Sequence, residues 1–317
     1  MTNNYIGIIG YGEVGRIFAA GLKGQRGITS VTTYDRKLEN SGTELELLKT
    51  AARAGIDIAP NLGALCDAAT LIISAVTASN TLAVAQEAAR HIRPGTLFLD
   101  LNSASPGTKR QAAQAIEEAG GHYVEAGVMS SVPPHGIKVP MLLGGARAGE
   151  LAPALRAWGM DATIVAVDIG VASAIKMCRS IMIKGMETLV IESYSTALYY
   201  GVADKVLPTL AETFPQIDWS AQGTYFFSRV VQHGKRRAEE MRESAATVRE
   251  AGFAPLMAVG IAEKLDWVAT LASDGLFDKV PKNASWQEYA ERLLFAGKEE
   301  MTGELTAPHP VLNATAD

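Results

Sequence analysis

The chain has 317 residues, more than one hydrophobic core usually serves, so two domains are expected. Hydrophobic residues make up 48% and charged residues 20% of it, the balance of a soluble globular protein and not of a disordered or fibrous one. A net charge of -5 argues against a general nucleic-acid binder, and two well-separated cysteines, Cys66 and Cys178, suggest neither a disulfide framework nor a metal site. The polar Met1-Thr2-Asn3-Asn4 leads straight into the first apolar run, and no run is long enough to span a bilayer. The expectation is a protein without signal peptide or membrane association, with the cytoplasm as its default location.

The first apolar run covers 5–9 and reads as a buried strand. Gly10-Tyr11-Gly12-Glu13-Val14-Gly15 follows at once, and 16–22 reads as a helix. After a second strand-like run over 31–34 stands Asp35, about 20 residues beyond the last glycine, the spacing of a dinucleotide-binding βαβ unit. Gly10 permits the tight turn, Gly12 lets the backbone approach a pyrophosphate, and Gly15 lets the helix pack closely on the strand. The helix N-terminus offers free N–H groups and partial positive charge to the phosphates. Asp35 is placed to accept hydrogen bonds from the adenosine ribose. The candidate cofactor contacts are Gly10, Tyr11, Gly12, Glu13, Val14, Gly15, Asp35 and Arg36. Asp35 repels a 2′-phosphate and favours NAD, whereas Arg36, followed by Lys37, favours NADP or is plain solvated loop; the balance leans to NAD and stays open.

Further along, 44–54 is helical in composition, with Leu45, Leu48 and Ala52 on one face. A convincing buried strand over 70–76 ends in Ala75, Val76 and Thr77, which join the cofactor-contact set. A helix over 81–91, the turn Arg93-Pro94-Gly95, a strand over 96–101, a helix over 107–119 and a strand over 122–128 follow. Strands near 6, 31, 72, 98, 124, 142 and 164, mostly alternating with helices, predict a doubly wound, largely parallel sheet whose ligands gather at the carboxyl ends of the strands. The loops at Tyr11, Val76, Asn102 and Met129 begin at such ends. After Gly170 the pattern changes: 171–201 lacks proline and reads as one long, mostly apolar helix. The division expected is a nucleotide-binding domain over 1–168 and an all-helical domain over 169–317. A tail from Gly303, with Pro308 and Pro310, reads as irregular.

Three stretches, in order and spacing, carry a resemblance. They are Gly10 to Gly15 with Asp35, Asp100-Leu101-Asn102-Ser103-Ala104-Ser105-Pro106, and Gly170-Val171-Ala172-Ser173-Ala174-Ile175-Lys176-Met177-Cys178-Arg179-Ser180. Together they resemble the β-hydroxyacid dehydrogenases, the group of 3-hydroxyisobutyrate and 6-phosphogluconate dehydrogenases, well over about the first 200 residues and loosely beyond. Within the group the chain is most similar to a phosphogluconate-dehydrogenase-like branch that carries a stretch like His233-Gly234-Lys235-Arg236-Arg237-Ala238-Glu239-Glu240-Met241. The resemblance implies a Rossmann-type domain followed by a helical one, an NAD(P) cofactor, and hydride transfer to or from a small anionic hydroxy acid or its semialdehyde.

Lys176 matches the family lysine that takes the hydroxyl proton. On the residues alone it is a helical lysine among apolar neighbours (Ala172, Ala174, Ile175, Met177), where partial desolvation lowers an ammonium pKa toward the range of a general base. Ser180 and Lys184 follow on the same face, at about 6 and 12 Å along the axis. Both depart from the family: Ser180 stands at an asparagine that holds substrate, and Lys184 at a tyrosine that touches phosphate. Lys184 suggests an anionic substrate, or is a surface lysine. Ile183 replaces the acid of the decarboxylating sugar-phosphate enzymes and counts against their reaction.

Asn102 and Ser103 match small polar residues that hold the substrate carboxylate, although a simple helix cap accounts for them almost as well. Ser130 and Ser131, in Val128-Met129-Ser130-Ser131-Val132-Pro133-Pro134-His135, replace a glycine pair bordering the substrate. His233 falls where relatives carry a lysine near nicotinamide and substrate, and 235–242 alternates charge like a solvated helix face. Ile175, Ile181, Leu189 and Ile191 leave the long helix apolar on several sides, which suggests a homodimer. Alternatives to the dehydrogenase are a 6-phosphogluconate-type oxidative decarboxylase, an imine reductase, and a catalytically silent dinucleotide-binding redox sensor.

Overall fold

A computed structural model describes residues 4–39, 42–281 and 284–304, with side chains through residue 296. The polar opening residues 1–3 and the tail prolines Pro308 and Pro310 lie outside the described residues. The first half of the chain alternates strands and helices: β1 (Asn4–Ile9), α1 (Glu13–Leu22), β2 (Ile28–Tyr34), α2 (Glu44–Ala54), β3 (Asp57–Ile58), α3 (Leu62–Ala68), β4 (Leu71–Ser74), α4 (Thr81–Ala89), β5 (Leu97–Asp100) and α5 (Pro106–Glu118). Then come β6 (His122–Val128), the short α6 (Val132–His135), β7 (Met141–Gly144), α7 (Ala148–Ala157) and β8 (Ala162–Ala166).

One eight-stranded sheet results, in the order β3-β2-β1-β4-β5-β6-β7-β8. Every neighbouring pair is parallel except β6 and β7, which run antiparallel. An antiparallel return needs no long crossover, and the short α6 with the turns around it is all that joins this pair. The strand order reverses direction between β1 and β4, the topological switch point at which open α/β sheets bind ligands.

Alternate side chains leave opposite faces of each strand, and the core follows that period. Ile6, Ile8, Leu71, Ile73, Leu99 and Val124 pack on one face with Phe18, Leu22 and Leu155. Ile9, Ile72, Phe98 and Tyr123 pack on the other with Leu65, Ala85, Ala112 and Ile116. Helix α2 forms over the expected residues but buries Leu47 and Ala51; Leu45 and Leu48, assigned to its apolar face from the sequence, are exposed. Two residues of β3 are too few to leave a periodic trace, and that edge strand is absent from the sequence reading.

Beyond β8 the chain is helical: α8 (Val171–Tyr199), α9 (Ala203–Thr213), α10 (Trp219–Glu250), α11 (Leu256–Ser273) and α12 (Trp286–Glu304). Two compact units emerge, Met1–Ile181 with Glu239–Val259, and Met182–Ala238 with Gly260–Asp317. The division runs through α8 and α10, whose ends belong to different units. In the second unit Tyr194, Phe227, Trp286 and Tyr289 are buried. Tyr194 and Trp286 meet edge-on with ring centroids 4.8 Å apart, and the Tyr194 hydroxyl donates to the Trp219 carbonyl at 2.9 Å.

Candidate active site

The turn between β1 and α1 has the geometry its glycines suggest. Gly10 takes φ +94, a conformation that L side chains rarely adopt, and a Cβ there would lie 2.4 Å from the Ala75 carbonyl oxygen. At Gly15 a Cβ would lie 1.9 Å from the Gly10 oxygen, so the helix approaches the turn as closely as backbone permits. Gly12 is different: a Cβ there meets nothing within 4 Å. Gly12, which opens α1, has no side chain with which to cap the helix N-terminus. Free amides beside open space are what a pyrophosphate requires, so these residues fit a dinucleotide. Tyr11 is buried, Val14 is partly so, and Glu13 is exposed.

Asp35 sits at the end of β2, where its Oδ2 accepts the Tyr11 N–H at 2.7 Å and its Oδ1 the Lys37 N–H at 2.9 Å. The acid therefore ties the glycine turn to the β2 loop, while Arg36 and Lys37 stay exposed beside it. Next across the switch point, Ala75 and Val76 are half-buried and Thr77 is exposed. Asn102 holds this loop: its Oδ1 accepts the Val76 N–H at 2.7 Å and its Nδ2 donates to Ser74 Oγ at 2.9 Å. The helix cap that the sequence allowed for Asn102 or Ser103 falls instead to Ser105, whose Oγ accepts the Thr108 N–H.

Beneath Asn102 lies a buried polar cluster. Asp100 Oδ1 accepts the Asn102 N–H at 2.8 Å and pairs with the Lys109 ammonium at 3.0 Å, and the Tyr123 hydroxyl donates to Asp100 Oδ2. Burial, reinforced by the Asp100 carboxylate, pushes the Tyr123 phenol well above its usual range.

Lys176 is half-buried near the start of α8, with Ser180 buried one turn on. A Cβ at Gly127, near the carboxyl end of β6, would stand 2.9 Å from the Ala172 oxygen and 3.6 Å from Lys176 Cβ. The missing side chain thus lets α8 press onto the strand and brings the lysine to the ligand edge of the sheet. After β6, Ser130 is exposed and its Oγ lies 3.3 Å from His135 Nε2, while Ser131 is half-buried.

The family described as the NAD binding domain of 6-phosphogluconate dehydrogenase matches residues 5–166, about half of the chain. The chain belongs to the β-hydroxyacid dehydrogenase superfamily. A second family, described as a domain of unknown function (DUF1932), matches residues 197–268. A conserved hypothetical protein from Sinorhizobium meliloti 1021 is 36% identical, with 92% of this chain and 95% of that one covered and a TM-score of 0.72. Conserved protein MTH1747, described as structurally similar to 3-hydroxyacid dehydrogenases, is 29% identical over 84% of this chain and 99% of its own, with a TM-score of 0.63. The 3-hydroxyisobutyrate dehydrogenase of Mycobacterium tuberculosis shares the fold, at 14% identity, 92% and 99% coverage and a TM-score of 0.62.

Where the β-hydroxyacid dehydrogenase resemblance thins, the helical unit carries its own charge pattern. Lys184 is buried, so it is not a surface lysine. It neighbours Glu187, which the Arg237 guanidinium grips through Nε at 3.0 Å and through Nη2. Burial raises the Glu187 carboxyl against the pull of Arg237, Lys184 and Arg229. Arg237 thus leaves the solvated face assigned to 235–242, whereas Lys235 and Arg236 keep to it; His233 is half-buried. Sequence reasoning missed Glu125, Glu187 and the acids Glu243 and Glu250. Only Glu125 left a signal, an acid inside the otherwise apolar Tyr123-Val124-Glu125-Ala126.

Proposed function

We propose that the chain is an NAD(P)-dependent oxidoreductase acting on a small anionic hydroxy acid, or in reverse on its semialdehyde, with Lys176 as general base. The observation that carries it is the half-buried Lys176 pressed over Gly127 at the ligand edge of the sheet that also bears the open glycine turn. When bound, the nicotinamide supplies the hydride acceptor. Lys176 Nζ takes the hydroxyl proton as the carbinol C–H bond breaks, leaving a carbonyl acid and a protonated lysine that returns its proton to solvent. Ser103, Ser130, Ser131 and Ser180 offer hydroxyls to the substrate. Asn102 contributes by fixing the Ala75-Val76-Thr77 loop. Ile183 has no proton to give an enediol, which argues against loss of carbon dioxide.

NAD is the preferred cofactor in this reading because of Asp35, and a titration with NADH and with NADPH decides it. Lys176→Ala should leave that affinity intact and cut turnover of the better hydroxy acid of a panel including 3-hydroxyisobutyrate by about 10²–10⁴-fold. Normal turnover by the variant rules the base out. Met182, Leu189, Tyr200 and Val202 expose apolar surface along α8 and just beyond it, which supports a homodimer. Sedimentation should give twice the chain mass, and Leu189→Asp should lower it; a wild-type monomer at micromolar concentration overturns the dimer.

A further inference from the structure

Glu125 is fully buried on β6, yet no Lys or Arg among the described residues pairs with it. Its Oε1 accepts the Gly170 N–H at 2.7 Å and the Ala172 N–H at 3.1 Å, and its Oε2 accepts the Ser173 hydroxyl. A buried carboxylate is costly unless its charge is met, and here the positive end of α8 meets it. An ordinary cap comes from the residue just before a helix. This one reaches across from a strand, so it fixes the helix to the sheet as well as closing it.

Two residues along the same strand, Gly127 lets the Ala172 carbonyl and Lys176 Cβ close in. The first turn of α8 is therefore held by a carboxylate at three points and seated on bare backbone at a fourth. Lys176 lies three residues after Ser173, about 4.5 Å further along the axis. We infer that Glu125 is a positioning residue for Lys176, setting where the amine stands over the end of β6. The inference rests on the reading of Lys176 as the base.

Competitive acetylation tests it without needing the substrate. With saturating NADH present, acetic anhydride labelling of Lys176 is measured peptide by peptide against exposed Lys235. In Glu125→Gln the Lys176 to Lys235 ratio should change by about threefold or more, and in Ser173→Ala by about twofold, with NADH affinity unchanged. The same ratio in either variant, with cooperative melting and wild-type NADH affinity, overturns the inference. Should Glu125→Gln fail to fold, Ser173→Ala decides, since it removes one anchor and leaves the carboxylate its two amides. Turnover adds a second arm. Glu125→Gln should lower kcat about tenfold with KM within about twofold, and should add nothing in a Lys176→Ala background; an equal loss in both backgrounds marks a purely structural role. Full activity of Lys176→Ala sinks the catalytic reading alone, and labelling still decides whether Glu125 positions the amine.

Discussion

Helices α1 and α5 both begin at the carboxyl end of a parallel strand, and they treat their free amides in opposite ways. At α5 the chain supplies its own anions. Glu243 accepts the Ser105 N–H at 2.7 Å, and Glu250 accepts the Gly107 N–H at 2.8 Å and the Ser105 hydroxyl at 2.7 Å. At α1 the opening residue is Gly12, with open space where a side chain would stand. A helix N-terminus favours negative charge wherever it comes from. The contrast teaches that anion-binding capacity at this end of the sheet is allotted: one helix start is left open, and the other is consumed in closing the fold.

The largest effect expected separates two glycines of the same turn. Gly15→Ala drives a methyl into the Gly10 carbonyl, backbone that cannot step aside, and should cost about 3 kcal/mol of stability and with it dinucleotide binding. Gly12→Ala meets no neighbour, so its melting temperature should stay at the wild-type value while NADH affinity drops about tenfold or more. Wild-type affinity in Gly12→Ala would break the comparison at its root. On the closed side, Glu250→Gln weakens charge-assisted bonds to Ser105 and Gly107 and should lower stability by about 1–2 kcal/mol in urea unfolding, with NADH affinity untouched.

The smallest effect is a pH slope. The Tyr123 phenol is raised in the fold, whereas the unfolded chain ionises near the ordinary value of 10.0. Its contribution is therefore complete below that pH and is lost as pH rises above it. Tyr123→Phe should flatten the alkaline decline in stability, and an unchanged slope removes the phenol from the account.

The nucleotide half was legible because its devices are local in sequence. A turn that needs φ above zero calls for glycine, and buried strands read as continuous apolar runs. The interval from Gly15 to Asp35 is one helix plus one strand. The long α8 was equally plain, since nothing in 171–199 interrupts it. The acids that shape the site were hidden for the opposite reason. Glu243 and Glu250 lie beyond the charged run 235–242, in a stretch with no motif of its own, and only α5, more than a hundred residues earlier, reveals their use. Arg237 and Glu187 are a long-range pair of the same kind. Asn102 reads as a ligand contact or a cap, yet it straps one strand-end loop to another, a role visible only once β4 and β5 lie side by side.

Helix α10 passes from one compact unit into the other, and its last turns complete the unit that the N-terminus began. During synthesis the sheet therefore emerges from the ribosome well before the acids that finish it. The nascent nucleotide half must wait, with the amides at the start of α5 still facing water, until Glu243 and Glu250 have been translated.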